Sequence, residues 1–285
     1  MKKKIVMISI SLGFCVLMAC WLSSMSVNTL KYFPIDPETK FTTAQTDLVL
    51  KELENQTVLS WIVESNLEKP AYLRQDVSLL FENGQLKGIQ SKWIQDEQKI
   101  VQEASLALKD SQLYQTISYH YAELHGESND IKSINKMTTN FLYIIDDTFR
   151  PAYAFKNPST PRQEHWVETL QQMTNQQLDY HWTELINHFN IDRKQYLEIP
   201  LIELSDYAEK PLLDLDQARQ NRVIAQLWEG LYQNYILPFK VAQKVEHSLM
   251  PLILVSKQSD HLIVVYEDLE GNKKQLIQRI ANEGS

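Results

Sequence analysis

Residues 43–66 read TAQTDLVLKELENQTVLSWIVESN, and the period assigned to this stretch decides the class of the fold. Leu48, Val49, Leu53, Val58, Leu59, Ile62 and Val63 recur at the three- and four-residue spacing that lines one face of a helix. The stretch therefore reads as one amphipathic helix ending before Pro70, which makes the chain an α+β protein.

Beyond it the period changes. Val77, Leu79 and Phe81 alternate with polar neighbours, Asn83-Gly84 is a strong hairpin signal, and Leu86 through Trp93 and Ile94 run back. Ile100–Leu108 and Leu113–Leu124 read as a second antiparallel pair turning at Lys109-Asp110-Ser111, with Ile117, Tyr119 and Tyr121 on one face. Ser128 is the expected cap of a short helix through Met137, and Phe141–Ile145 a buried strand. A helix followed by a four-stranded antiparallel meander resembles the arrangement of cystatin-like domains, which implies a sheet wrapped around one helix and says nothing of function.

Pro151, Pro158 and Pro161, with Asn157 and Ser159 between them, mark residues 151–161 as a linker between an α+β domain at 41–150 and a second domain at 162–285. In the second, Trp166, Leu170, Met173, Leu178, Trp182, Leu185, Ile186 and Phe189 predict a long helix, and Leu215–Tyr235 another. Three strands, Leu252–Val255, Leu262–Tyr266 and Gln275–Ile280, close this helical region with a short antiparallel sheet.

At the amino end, Lys2, Lys3 and Lys4 precede an uncharged run from Ile5 to Leu22. As a helix this run spans roughly 27 Å, enough for a bilayer core, and the lysines predict a cytoplasmic start and an extracytoplasmic body. Residues 1–30 thus read as a membrane anchor or signal segment, crossing at 5–25, and residues 31–40 as an extended, proline-stiffened neck. Leu17-Met18-Ala19-Cys20 partly resembles a lipobox, which makes Cys20 the candidate lipidation site of an alternative, lipid-anchored form.

Composition excludes several function classes. Without the three lysines, the 28 basic residues fall to 25 against 36 acidic ones, a formal charge of −11, so no nucleic-acid partner is expected. Both cysteines, Cys15 and Cys20, lie in the amino-terminal segment, so the body holds no disulfide, Cys-ligated zinc or thiol nucleophile. The glycines Gly84, Gly88, Gly126, Gly230 and Gly271 are too scattered for a phosphate-cradling loop, and no cofactor is expected.

His181, Glu184 and His188 share one helical face, but the histidines stand two turns apart, and flanking an apolar stripe explains them better than zinc. His120 and His125 are five apart on a strand and point to opposite faces. Asp146 and Asp147 are adjacent on extended chain, where side chains diverge, so without a bulge they cannot act as an acid–base pair, and solubility at a strand end is the plainer reading. Tyr114, Tyr119 and Tyr121 read as core packing rather than as an exposed platform. The candidate partner-binding face is Leu227, Trp228, Leu231, Tyr232 and Tyr235, with packing against the preceding helix as the plainer reading. No catalytic or metal-ligating set is expected.

These readings converge on a membrane-tethered, extracytoplasmic, non-enzymatic protein of a bacterial cell envelope. It acts through contacts with another membrane or envelope protein, as a regulator, sensor accessory or assembly factor. The alternatives are an envelope hydrolase using Asp/Glu chemistry and a ligand-binding lipoprotein.

Overall fold

A computed structural model describes residues 30–280 other than 54–55, 109, 127–129, 148–149 and 244–247. Strands make up 51% of it, and the α+β expectation is overturned at the stretch that decided it. Residues 43–66 are not a helix. They form β1 (Thr43–Leu53) and the start of β2 (Gln56–Glu82), paired antiparallel from Thr43 opposite Asn66 to Leu53 opposite Gln56. Thr46 and Leu48 on β1 and Leu59, Trp61, Val63 and Ser65 on β2 alternate inward. Val58 and Ile62 supplied the apparent helical spacing from the opposite face, and the β-branched Thr57, Val58, Ile62 and Val63 suit a pleated surface.

β2 carries on for 27 residues, and β3 (Gln85–Ala107) follows it back along its whole length. The hairpin turns at Asn83-Gly84, both at positive φ (46° and 81°), as expected from that dipeptide. The register breaks between Asn66 and Ala71, and this irregularity swaps the inward face of β2. Before it the odd-numbered residues face in; after it Arg74, Asp76, Ser78 and Leu80 do, while Val77, Leu79 and Phe81 face the opposite way.

β4 (Gln112–His125) pairs with β2 and with β5 (Ile131–Asp147), which pairs in turn with β6 (Arg150–Phe155). Two expectations fail here. Residues 100–107 pair with the first half of β2 rather than with β4, and residues 131–137, expected to be helical, belong to β5. β1 and β4 lie on the same side of β2 along successive halves, so the six strands curl into a half-barrel with β1 laid against β4 and β5.

The outer face of the half-barrel is covered by the carboxyl-terminal half. Helix α1 (Pro161–His188) starts at Thr160, whose hydroxyl accepts from the Gln163 N–H, with Pro161 in the first turn. A helical hairpin-free run follows later: α2 (Gln217–Leu231), a π-turn at Tyr232–Ile236 and α3 (Leu237–Ala242). The closing sheet has four strands rather than three, in the order β10 (Lys273–Arg279), β9 (His261–Glu267), β8 (Leu252–Ser256) and β7 (Tyr196–Pro200). Val77, Leu79, Phe81, Tyr119 and Tyr121 from the half-barrel share one apolar core with Trp228, Tyr235, Ile253 and Val264. The segment 151–161 therefore does not separate two cores, and Pro151 lies within β6.

The neck is extended but docked. Leu30 is buried in the shared core, the Tyr32 N–H donates to Glu229 Oε2 at 3.0 Å, and the Asp36 N–H donates to the Ser133 carbonyl at 2.8 Å. Among the described residues no helix is long and apolar enough to cross a membrane. The expected span at 5–25 and Cys20 lie outside the described residues.

Candidate functional site

The interior of the half-barrel is apolar at both ends and polar between them. At one end Leu48, Leu59, Trp61, Val63, Leu80, Tyr114, Leu142 and Ile144 pack together, at the other Leu67, Ala71, Ala122 and Ile134. In the middle a chain of hydrogen bonds joins four strands. Asp76 Oδ2 lies 2.9 Å from His120 Nδ1, and His120 Nε2 lies 2.8 Å from Thr138 Oγ1. Thr138 Oγ1 is 2.7 Å from Thr46 Oγ1, which donates to Ser118 Oγ at 2.6 Å, and Ser118 donates to Ser78. Beside Asp76, Arg74 donates to Ser65 Oγ at 2.5 Å and to the Gln98 carbonyl, with the Phe41 ring 5.3 Å from its guanidinium carbon. Burial pulls the Arg74 pKa down from its ordinary value, and the neighbouring Asp76 charge opposes that shift.

An acid, an imidazole and a hydroxyl in series are the elements of an activated nucleophile. Here Arg74, Asp76 and His120 have no exposed surface and the Thr138 hydroxyl is shared with Thr46, so the chain ties β1, β2, β4 and β5 together rather than facing a substrate.

Several openings reach the surface, and two of them have strongly apolar floors or walls. A cleft of about 910 Å³ beside the neck is floored by Phe41, Leu67, Pro70 and Leu124. Its rim mixes Lys40, Lys69 and Lys132 with Asp36, Glu38, Glu68 and Asp130, so it prefers neither sign of charge.

The second is a groove of about 470 Å³ between α1, β5 and the start of the 3-10 segment Leu201–Ala208. Outward-facing Phe141 and Tyr143 of β5 form one wall, their rings 5.8 Å apart and edge-on. Trp182 of α1 forms another, fixed by an Nε1–H bond to the Met250 carbonyl at 2.7 Å, while Gln171 of α1 donates to the Tyr143 hydroxyl at 2.7 Å. Thr174 lines the groove with only 2% of its surface exposed, and its hydroxyl has no hydrogen-bond partner. The charged groups in the lining are two carboxylates, Asp179 and Glu203, with no Lys, Arg or His. Burial first, and then Asp206, raise the Glu203 carboxyl above its ordinary value, against a smaller effect of Lys210.

The residues singled out from sequence fall elsewhere. Leu227, Trp228, Leu231, Tyr232 and Tyr235 are all buried in the shared core, so in this fold they present no face to a partner. Trp228 stacks on Tyr119 at 4.9 Å, and its Nε1–H points at Met137 Sδ, 3.2 Å away. Tyr119 and Tyr121 face that core while Tyr114 faces the half-barrel interior and donates to Glu82 at 3.0 Å, so the three tyrosines form no common platform.

His181 is buried with Nδ1 4.0 Å from Glu267 Oε1, and burial lowers its pKa. Glu184 and His188 are exposed, and among the described residues no group of three His, Cys, Asp or Glu is placed to hold a metal ion. His120 points inward, whereas His125 stacks on Tyr72 at 3.7 Å, on opposite faces as their spacing implies. Asp146 is exposed at the end of β5. The residues that sequence reading passed over are Arg74, Asp76, Phe141 and Glu203. Polar side chains at alternate positions of a strand look like a solvent face, and nothing local shows that curling buries them.

No protein-family model and no curated protein matches the chain. Among solved structures, a CARDB domain from Pyrococcus furiosus, determined in complex with di-metal ions, aligns over 40% of this chain and 99% of that domain. The two are 10% identical with a TM-score of 0.21, a likeness too slight to carry any argument.

Proposed function

We propose that the protein is a membrane-tethered, extracytoplasmic, non-enzymatic component of a bacterial cell envelope that acts through protein contacts, as a regulator, sensor accessory or assembly factor. The tether rests on the uncharged run behind Lys2, Lys3 and Lys4. The observation that supports contact rather than chemistry is the open groove under α1, walled by Phe141, Tyr143 and Trp182, on a body whose acid–imidazole–hydroxyl chain is sealed from solvent. Leu30 sits in the core, so the neck gives the body little reach from the bilayer, and its partner stands close to the membrane.

The test is in-cell photo-crosslinking of the full-length chain from position 141 in the groove and, as control, from Tyr180, which is exposed on α1. A specific membrane or envelope protein recovered from 141 and not from 180 supports the reading. The same bystanders from both positions, or turnover of an envelope glycan or peptide that is lost on carboxylate substitution, sinks it in favour of a hydrolase.

A further inference from the structure

We infer that the groove between α1 and β5 binds a basic side chain, a lysine or arginine presented by an extended segment of the partner protein. The inference rests on the contact reading above and adds the chemistry of the contact.

Three observations carry it. The charged lining is made of carboxylates alone, Asp179 and Glu203, both exposed, so the groove is a negative site that repels anions. Asp179 is engaged by Arg193 at 3.4 Å, whereas the Glu203 carboxylate makes no hydrogen bond or ion pair with another described residue. Glu203 is exposed and unpaired beside the apolar walls, so its carboxylate is free to pair with an incoming cation.

Next come the walls. Phe141 and Tyr143 stand edge to face, Tyr143 is held by Gln171 and Trp182 by the Met250 carbonyl, so the aromatic surfaces are fixed before anything binds. Aromatic faces beside a carboxylate suit an ammonium or guanidinium group and pack well on the methylenes that carry it. Phe141 keeps 41% of its surface exposed, so this wall is open to an incoming side chain.

The third is Thr174. Its hydroxyl lines the groove, is almost wholly buried and has no partner, although buried hydroxyls are nearly always bonded. A bound peptide supplies the missing group, since a backbone carbonyl accepts from this hydroxyl while the basic side chain reaches Glu203. A net charge of −8 for the whole chain favours encounter with a basic segment over an acidic one.

The experiment uses the full-length protein in mild detergent and two blocked pentapeptides, Ac-Ala-Ala-Lys-Ala-Ala-NH₂ and its norleucine counterpart, followed through the Trp182 indole N–H in NMR spectra. The lysine peptide should shift that resonance and the norleucine peptide should not. Glu203→Gln should weaken lysine-peptide binding by about tenfold, while Glu270→Gln, in an exposed turn away from the groove, leaves it unchanged. Equal responses to both peptides, no response to either, or full binding by Glu203→Gln overturns the inference. Crosslinking from position 141 to a partner with none of these peptide effects leaves the contact reading standing and removes only this one. Lysine-peptide binding without any partner recovered in cells does the reverse.

Discussion

Asp76 and His120 lie directly opposite each other on β2 and β4, joined at 2.9 Å, and neither has any surface exposed to solvent. Removing one member leaves the other buried without its partner, and such changes cost about 3–5 kcal/mol. Asp76→Ala should lower stability by that order in urea melts. The double variant Asp76→Leu/His120→Phe should lose clearly less, because both polar groups leave together. A double variant as unstable as the single one would show that packing, not the pair, holds the seam.

Gly84 has φ of +81°, and a Cβ placed on it would lie 2.9 Å from Leu178 on α1. Gly84→Ala therefore strains the turn and pushes α1 away from the hairpin at once, costing about 2 kcal/mol or more. Thermal melts of the variant check this, and a change in Trp182 fluorescence should accompany it, since Trp182 sits one turn beyond Leu178 on α1.

The docked neck is part of the fold. Leu30 is only 2% exposed within the shared core, so Leu30→Ala should cost about 2–5 kcal/mol. Protein beginning at residue 31 should melt at lower temperature than protein beginning at residue 30, and equal melting temperatures would show that the neck merely rests on the body.

Trp228 is wholly buried against Tyr119, so Trp228→Ala should destabilise by about 3–5 kcal/mol. Any loss of partner binding in this variant should track the unfolded fraction and recover on cooling. Loss of binding by fully folded Trp228→Ala would restore a contact role to the α2 stripe.

Glu203 gives a pH-dependent prediction. Its carboxyl is raised in the folded state, so the ionised group is a penalty on folding that is full above the folded pKa and absent below the unfolded one. Glu203→Gln should thus stabilise the fold at neutral pH, and the gain should shrink as pH falls through the raised value towards about pH 4. Urea melts of both proteins across that range check the sign.

The misreading of residues 43–66 and the correct reading of residues 77–94 have one cause. Around Asn83-Gly84 the turn chemistry is local and the alternation clean, because one face of that hairpin meets the apolar core. In β1 and the first half of β2 both faces carry apolar residues, such as Leu48 and Val49, and Leu59, Ile62 and Val63, so a helical and an extended period fit equally well. Arg74, Asp76 and His120 were hidden for a related reason: they alternate with Val77 and Tyr119 just as solvent-facing residues would. The groove was equally invisible, since Phe141 and Trp182 come from elements that are not neighbours in the chain and Glu203 from a third.

The amino-acid sequence alone determined the features that depend on a few adjacent residues. These are the hairpin turn at Asn83-Gly84, the shared face of Tyr119 and Tyr121, the acidic charge and the absence of cysteine from the body. Tertiary structure decided the rest. Thr46 reaches Ser118 across 72 residues of chain, Trp228 reaches Met137 across 91, and Asn140 reaches the Thr46 carbonyl across 94. Turns and caps are set by hydrogen bonds within one or two turns of chain, whereas the curl of a sheet is set by strand pairings whose partners local periodicity does not name. That curl turned polar strand faces into an interior and left Glu203 facing a groove.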